Sequence, residues 1–239
     1  FWTERDRTPA FRISSACLPA SIDNNLPGSE LSIGTDTALN VIVEAMDKIK
    51  ESGIASRRCF VVETMGRDCG YLALMSGIAA SAERIYTNED GISLDDLAND
   101  VHWLRESFAH GRRLFLAVRN ENASHNYTTD FIARLLEEES HGMYDVRQVV
   151  LGHMQQGGSP SPFDRLLANR LGYRALNLID DELAAHQDGS WFIGVNESGM
   201  RPCSMDTMPS LIDAAHRRPR EQWWLQLRTI ARMVSDEVR

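Results

Sequence analysis

The chain predicts an α/β protein built on a parallel sheet with helices packed against it. Short apolar runs alternate with longer stretches of helical period, which is the pattern of strands joined by crossover helices. Three of the runs end in loaded polar turns: Leu18-Pro19-Ala20-Ser21-Ile22-Asp23-Asn24-Asn25, Glu63-Thr64-Met65-Gly66-Arg67-Asp68-Cys69-Gly70 and Leu151-Gly152-His153-Met154-Gln155-Gln156-Gly157-Gly158. Ligands of α/β sheets bind outside the carboxyl ends of parallel strands, so the three turns are expected to converge on one site.

In chain order, strands are predicted at Ile13–Leu18, Cys59–Glu63, Leu114–Val118, Val146–Leu151 and Trp191–Val195, each a short apolar run. After Gly34, residues Leu39, Ile42, Val43, Met46 and Ile49 recur at three- and four-residue steps and give one apolar helical face. Thr35 or Asp36 can cap its start and Gly53 can end it. Further helices are predicted over Tyr71–Ala82 and Ser93–His110, and from Thr128, where Phe131, Ile132, Leu135 and Leu136 form the stripe. Ser161 and Asp164 have the spacing of a capping box, with Pro162 at the first helical position. Leu166, Leu167, Leu171, Leu178 and Ile179 then supply the buried face of that helix. A last helix from Arg220 is expected to bury Trp224, Leu227, Ile230 and Val234, and Gly199-Met200-Arg201-Pro202 reads as a turn.

At 239 residues, 43% hydrophobic and 25% charged, the chain fits a soluble globular protein. No internal repeat, low-complexity tract or linker divides it, so residues 1–239 read as one domain. A net charge of −9 disfavours nucleic acid as a partner and leaves any anionic ligand to local arginines. No apolar run reaches bilayer length and no secretory signal opens the chain. Cys17, Cys59, Cys69 and Cys203 lack CxxC or zinc spacing, which suits reduced thiols in the cytoplasm. The chain begins at Phe1 without an initiator methionine, with the polar stretch Thr3-Glu4-Arg5-Asp6-Arg7 just before the first strand, and is expected to be part of something longer.

Asp23 has two readings: an Asx-turn aspartate bonded to its own backbone, or a general base for a substrate hydroxyl oriented by Ser21 and Asn25. Gly66 and Gly70 bracket Arg67 at a helix start, where backbone N–H groups and partial positive charge suit an anion. His153 is either a structural histidine or, with the neighbouring glutamines and glycines, a partner of sugar hydroxyls. Arg58 and Arg147 begin their strands and so stand away from the turns of their own subunit, within reach of a site on a neighbour. Arg217 and Arg218 are expected to form a basic pocket, and Glu121 to meet sugar hydroxyls.

Taken together, these stretches resemble the 6-phosphofructokinase family, from Cys17 to the last helix. Pro19-Ala20-Ser21-Ile22-Asp23-Asn24-Asn25 is similar to the family's catalytic turn, and the other two turns resemble its sugar-phosphate loops. Arg119-Asn120-Glu121 and Glu221-Gln222-Trp223-Trp224-Leu225 look most like the carboxy-terminal half of the long eukaryotic-type enzymes. The resemblance implies a three-layer parallel-sheet phosphofructokinase-like fold, incomplete at the amino terminus, and ATP-dependent phosphorylation of the 1-hydroxyl of fructose 6-phosphate. It aligns Asp23 with the base, Met65, Gly66, Arg67 and Glu121 with sugar contacts, and Arg58, Arg147, His153 and Arg217 with phosphate contacts. Arg58 and Arg147 would come from an adjacent subunit, which implies a homo-oligomer. The glycine-rich nucleotide loops and magnesium-binding aspartate would lie upstream of Phe1, so the chain as given is expected to bind ATP poorly. Two departures, Asn25 for a second aspartate and Gln156 for an arginine, resemble the regulatory half, which binds fructose 2,6-bisphosphate without turning it over. Asp23 and Arg67 in turn resemble the catalytic half, and Ala20 leaves room for the ATP-type arrangement.

Overall fold

The computed structural model describes residues 13–53 and 56–236, with side chains to 233. The stretch Thr3 to Arg7 and the Val234 side chain lie outside the described residues.

Along the chain run β1 (Ser15–Cys17), α1 (Thr35–Gly53), β2 (Arg58–Thr64), α2 (Tyr71–Ala79), β3 (Arg84–Tyr86), α3 (Leu94–Ala109), β4 (Leu114–Asn120), α4 (Thr129–Glu139) and β5 (Asp145–Val150). They are followed by α5 (Pro162–Ala184), β6 (Ser190–Asn196), β7 (Gly199–Ser204), α6 (Met208–Leu211), β8 (Ile212–Asp213), β9 (Arg218–Pro219) and α7 (Arg228–Asp236). The main sheet is all parallel, in the order β3-β4-β2-β5. Its central strands are buried on both faces, which is why they read as unbroken apolar runs. Alternation along them feeds two cores. Phe60, Val62, Leu116 and Val118 pack with Ile42 and Met46 of α1, Leu72 of α2 and Trp224. Cys59, Val61, Phe115 and Ala117 pack with Leu97 and Phe108 of α3 and with Ile132 and Leu136 of α4. Helix, sheet and helix make the three expected layers.

β1 and β6 do not join that sheet. They pair in parallel in a second one, β1-β6-β7, against which α5 lays Leu167, Leu171 and Leu178. β7 corrects the turn expected at Gly199 to Pro202: the reversal falls at Glu197 and Ser198, and β7 returns antiparallel to β6. Pro202 is tolerated there because β7 is an edge strand.

The helices differ from expectation in four places. α2 ends at Ala79, not Ala82. Leu166 is 63% exposed, because one step from Leu167 turns a side chain about 100° off the buried stripe. Phe131 is also exposed and rests on the Tyr127 ring instead of the core. The last helix starts at Arg228 after a 3₁₀ segment, Trp223–Leu227. That tighter winding changes the phase, so Trp224 is buried while Ile230 faces solvent.

The cap of α1 is not local. Asp164 of α5 accepts from Gly34 N at 2.9 Å, Thr37 N at 2.8 Å and Thr37 Oγ1 at 2.5 Å. Ser161 Oγ accepts from Asp164 N at 3.1 Å, which is half of the expected box; the Asp164 carboxylate has crossed to the other helix. Asp36 is consumed in return as the acceptor of Ser161 Oγ, at 2.5 Å.

Candidate functional site

The first turn is folded by the neighbours of Asp23. Ser21 Oγ accepts from Asp23 N at 3.2 Å and donates to Asn25 Oδ1 at 3.0 Å. Asn24, left-handed at φ 53°, donates from Nδ2 to Glu30 O and accepts from Ser32 N, both at 2.8 Å. Asn25 Nδ2 donates to Arg217 O at 3.4 Å. A serine and two asparagines thus do the work of an Asx turn, and the Asp23 carboxylate points elsewhere. Its Oδ2 lies 3.8 Å from Arg67 Nε. Asp23 is only 9% exposed, and burial raises its pKa; Arg67 pulls it back down and Glu121 pushes it up.

The second turn needs glycine at Gly66, where φ is +138° and a Cβ would stand 2.5 Å from Cys69 O and 2.8 Å from Asn120 Nδ2. Its amides are not waiting for an external anion, as the sequence suggested. Glu121 Oε1 accepts from Gly66 N at 3.1 Å and from Arg67 N at 2.7 Å. The Glu89 carboxylate accepts from Gly70 N at 3.0 and 3.1 Å, at the start of α2. Orphan amides and the positive helix end are satisfied from within. The Arg67 side chain, by contrast, is 72% exposed.

The third turn winds as a 3₁₀ helix, Gly152–Gln156. Gln155 and Gln156 separate in role. Gln155 is 1% exposed; its Oε1 accepts from Met65 N at 3.3 Å and its Nε2 donates to Gly152 O at 3.0 Å. That bond ties the third turn to the second. His153 and Gln156 are exposed. Gln156 lines a cleft of about 550 Å³ with Ile22 of the first turn and Gly34, Thr37 and Gly158.

Two predicted arginines lie apart from this cluster. Arg58 opens β2 and donates to Ser52 O at 3.4 Å, roughly 20 Å along the strand from the second turn. Arg147, on the edge strand β5, stands 3.7 Å from Asp145. Arg217 and Arg218 do not form a joint pocket: Arg217 is exposed at φ 51°, while Arg218 is drawn inward to Glu89 at 3.1 Å. Sequence reasoning missed Glu89, one of two adjacent acids in the loop after β3 with no motif around them. It also missed that Gln155 is structural, although its place inside the third motif was a usable signal.

The geometry is that of an open α/β domain whose polar turns meet at strand ends, the place where such sheets generally bind ligands. The phosphofructokinase family profile matches residues 3–179, and the chain belongs to that family. It is 41% identical over 241 residues to the rat (Rattus norvegicus) ATP-dependent 6-phosphofructokinase, platelet type, covering 97% of this chain and 31% of that one. It is 42% identical over 229 residues to the human (Homo sapiens) muscle type, covering 91% and 29%. The chain therefore spans about a third of the length of these relatives, within their carboxy-terminal half. The phosphofructokinase structure from Saccharomyces cerevisiae superposes with a TM-score of 0.93 at 34% identity, over 99% of this chain and 33% of that one.

Proposed function

We propose that this chain is the sugar-phosphate-binding part of an ATP-dependent 6-phosphofructokinase, which transfers a phosphoryl group from ATP to the 1-hydroxyl of fructose 6-phosphate in glycolysis. The observation that carries the reading is Asp23: a buried carboxylate released from its turn, raised toward the range of a useful base and 3.8 Å from an arginine. Asp23 takes the hydroxyl proton as the oxygen attacks phosphorus. Arg67 balances charge on the transferring group, which needs positioning and neutralisation more than covalent help. Ser21, Asn25, Met65, Gly66 and Glu121 orient the sugar, and His153, Gln156 and Arg217 face its phosphate. Arg58 and Arg147 serve a neighbouring copy in a homo-oligomer. Among the described residues no three His, Cys, Asp or Glu side chains group to hold a metal, and no step here runs through magnesium or the nucleotide. Among the described residues no helix is long and apolar enough to cross a membrane.

Asp23→Asn in the full-length protein is expected to cut turnover on the order of a hundredfold or more. Unchanged turnover would remove Asp23 from the chemistry.

A second reading, a regulatory half holding fructose 2,6-bisphosphate, is favoured by Asn25, an amide tied to Ser21 and to the Arg217 backbone where it carries no charge. Calorimetry with that bisphosphate against fructose 6-phosphate separates the two. Tight binding of the bisphosphate, together with indifference of turnover to Asp23→Asn, would favour regulation.

A further inference from the structure

The segment from β8 to Trp224 crosses the first two turns and joins them. Trp224 anchors it in the core, edge-on to Tyr71 of α2 at 5.8 Å. At its upstream end, Arg217 O accepts from Asn25 of the first turn. One residue later Arg218 Nη1 donates to Asp68 O at 2.6 Å, to Asn88 Oδ1 at 2.7 Å, and meets Glu89 at 3.1 Å. Gln222 Nε2 donates to the same Glu89 oxygen at 2.8 Å. Glu89 in turn holds Gly70 N, the last residue of the second turn. A second path closes the ring: Asn88 Nδ2 donates to Asn122 O at 2.7 Å, and Asn122 Nδ2 to Asp68 Oδ1 at 2.9 Å.

These bonds hold the backbone next to Arg67, whose own side chain is 72% exposed. Arg67 sits at φ 52°, a conformation a non-glycine residue holds only when its surroundings impose it. The backbone on one side is fixed by Glu121 through Gly66 N and Arg67 N. On the other side it is fixed by Arg218 at Asp68 O and by Glu89 at Gly70 N. A Cβ at Gly70 would fall 2.5 Å from both Glu89 Oε2 and Thr87 Cβ, so the turn and the Glu89 loop are fitted to each other.

We propose that Glu89, held by Arg218 and Gln222, is a positioning residue that sets Arg67 beside Asp23, so that the Arg217–Gln222 segment couples phosphate contact at Arg217 to the geometry of the second turn. The inference rests on the phosphofructokinase reading for its consequence, but its geometry stands without it. Glu89→Gln keeps the size and removes the charge; Arg218→Lys keeps the charge and removes the fork.

Both variants are made in the full-length protein, with thermal unfolding as a check of folding. Amide exchange over residues 66–70 is expected to quicken in each, while β4 keeps its protection. Glu89→Gln is expected to lower kcat/KM for fructose 6-phosphate on the order of ten- to a hundredfold. In an Arg67→Met background the same change should cost almost nothing further, because the two act as one unit. Unchanged exchange at 66–70, or losses that simply add, would overturn the inference. Quickened exchange in both variants, in a protein whose wild type binds no fructose phosphate at all, would uphold the positioning role and sink the functional reading instead.

Discussion

The burial that raises the Asp23 pKa sets a cost on the fold at neutral pH. Its folded pKa stands above the ordinary aspartate value of 3.8, so between those two values the folded state holds more proton than the unfolded one. Stability therefore falls as pH rises through that window, the penalty is complete above it, and it vanishes below 3.8. Asp23→Asn is expected to melt higher than the wild type at pH 7, with the gain shrinking on acidification toward pH 4. A lower melting point at neutral pH would show that the carboxylate supports the turn after all. Arg67 pulls the Asp23 pKa down, so Arg67→Met is expected to lower kcat/KM and to move its acid limb to higher pH. A limb that stays in place would mean that another group titrates. The candidate site was legible in sequence where it is contiguous: Asp23 and Arg67, 3.8 Å apart in the structure, each sit in an unbroken motif. It was illegible where it is assembled across the chain. Glu89 reaches Gly70 from 19 residues away, and Arg218 reaches Asp68 from 150, and no local pattern marks either contact.

At the scale of elements, α1 and α5 begin against each other, and their exchange of caps sets how the first and third turns meet. Asp164, 2% exposed, supplies three hydrogen bonds to the start of α1, two of them to backbone amides. Asp164→Ala leaves those amides unpaired in a buried place and is expected to cost about 2–4 kcal/mol. Urea denaturation should show a lower midpoint with little change in slope. A loss below about half a kcal/mol would mean that water or a local side chain replaces the cap. The same contact shows where sequence reading stops. Ser161 and Asp164 announced a helix start correctly, but spacing cannot say that the carboxylate will serve a helix 130 residues upstream. The long strands β2 and β4 were legible because burial on both faces demands a continuous apolar run. Three-residue β3 and the edge strand β7 were not. The first is too short for a period, and the second tolerates glycine and proline because only one neighbour needs its backbone.

For the whole molecule, the decisive question is what Arg58 and Arg147 are for. Both stand at the starts of strands whose far ends carry the turns, and β5 is an edge strand with Arg147, Gln148 and Val150 exposed. An arginine that cannot reach its own site can complete one on a neighbour, and a closed dimer would place each such pair across an isologous interface. Arg147→Ala should then abolish high-affinity sugar-phosphate binding while leaving Asp23 intact in every chain. Asp23→Asn should do the reverse. If sites are shared, a hybrid of the two chains holds one site in which both residues are wild type and one in which neither is. Co-expression of the two inactive chains in equal amounts is therefore expected to restore about a quarter of wild-type turnover, since about half of random dimers are hybrids with one working site of two. Sites built within one chain give a different result, because every site in every hybrid then lacks one residue. Hybrids no more active than either parent would confine the site to a single chain and leave Arg58 and Arg147 as surface charges.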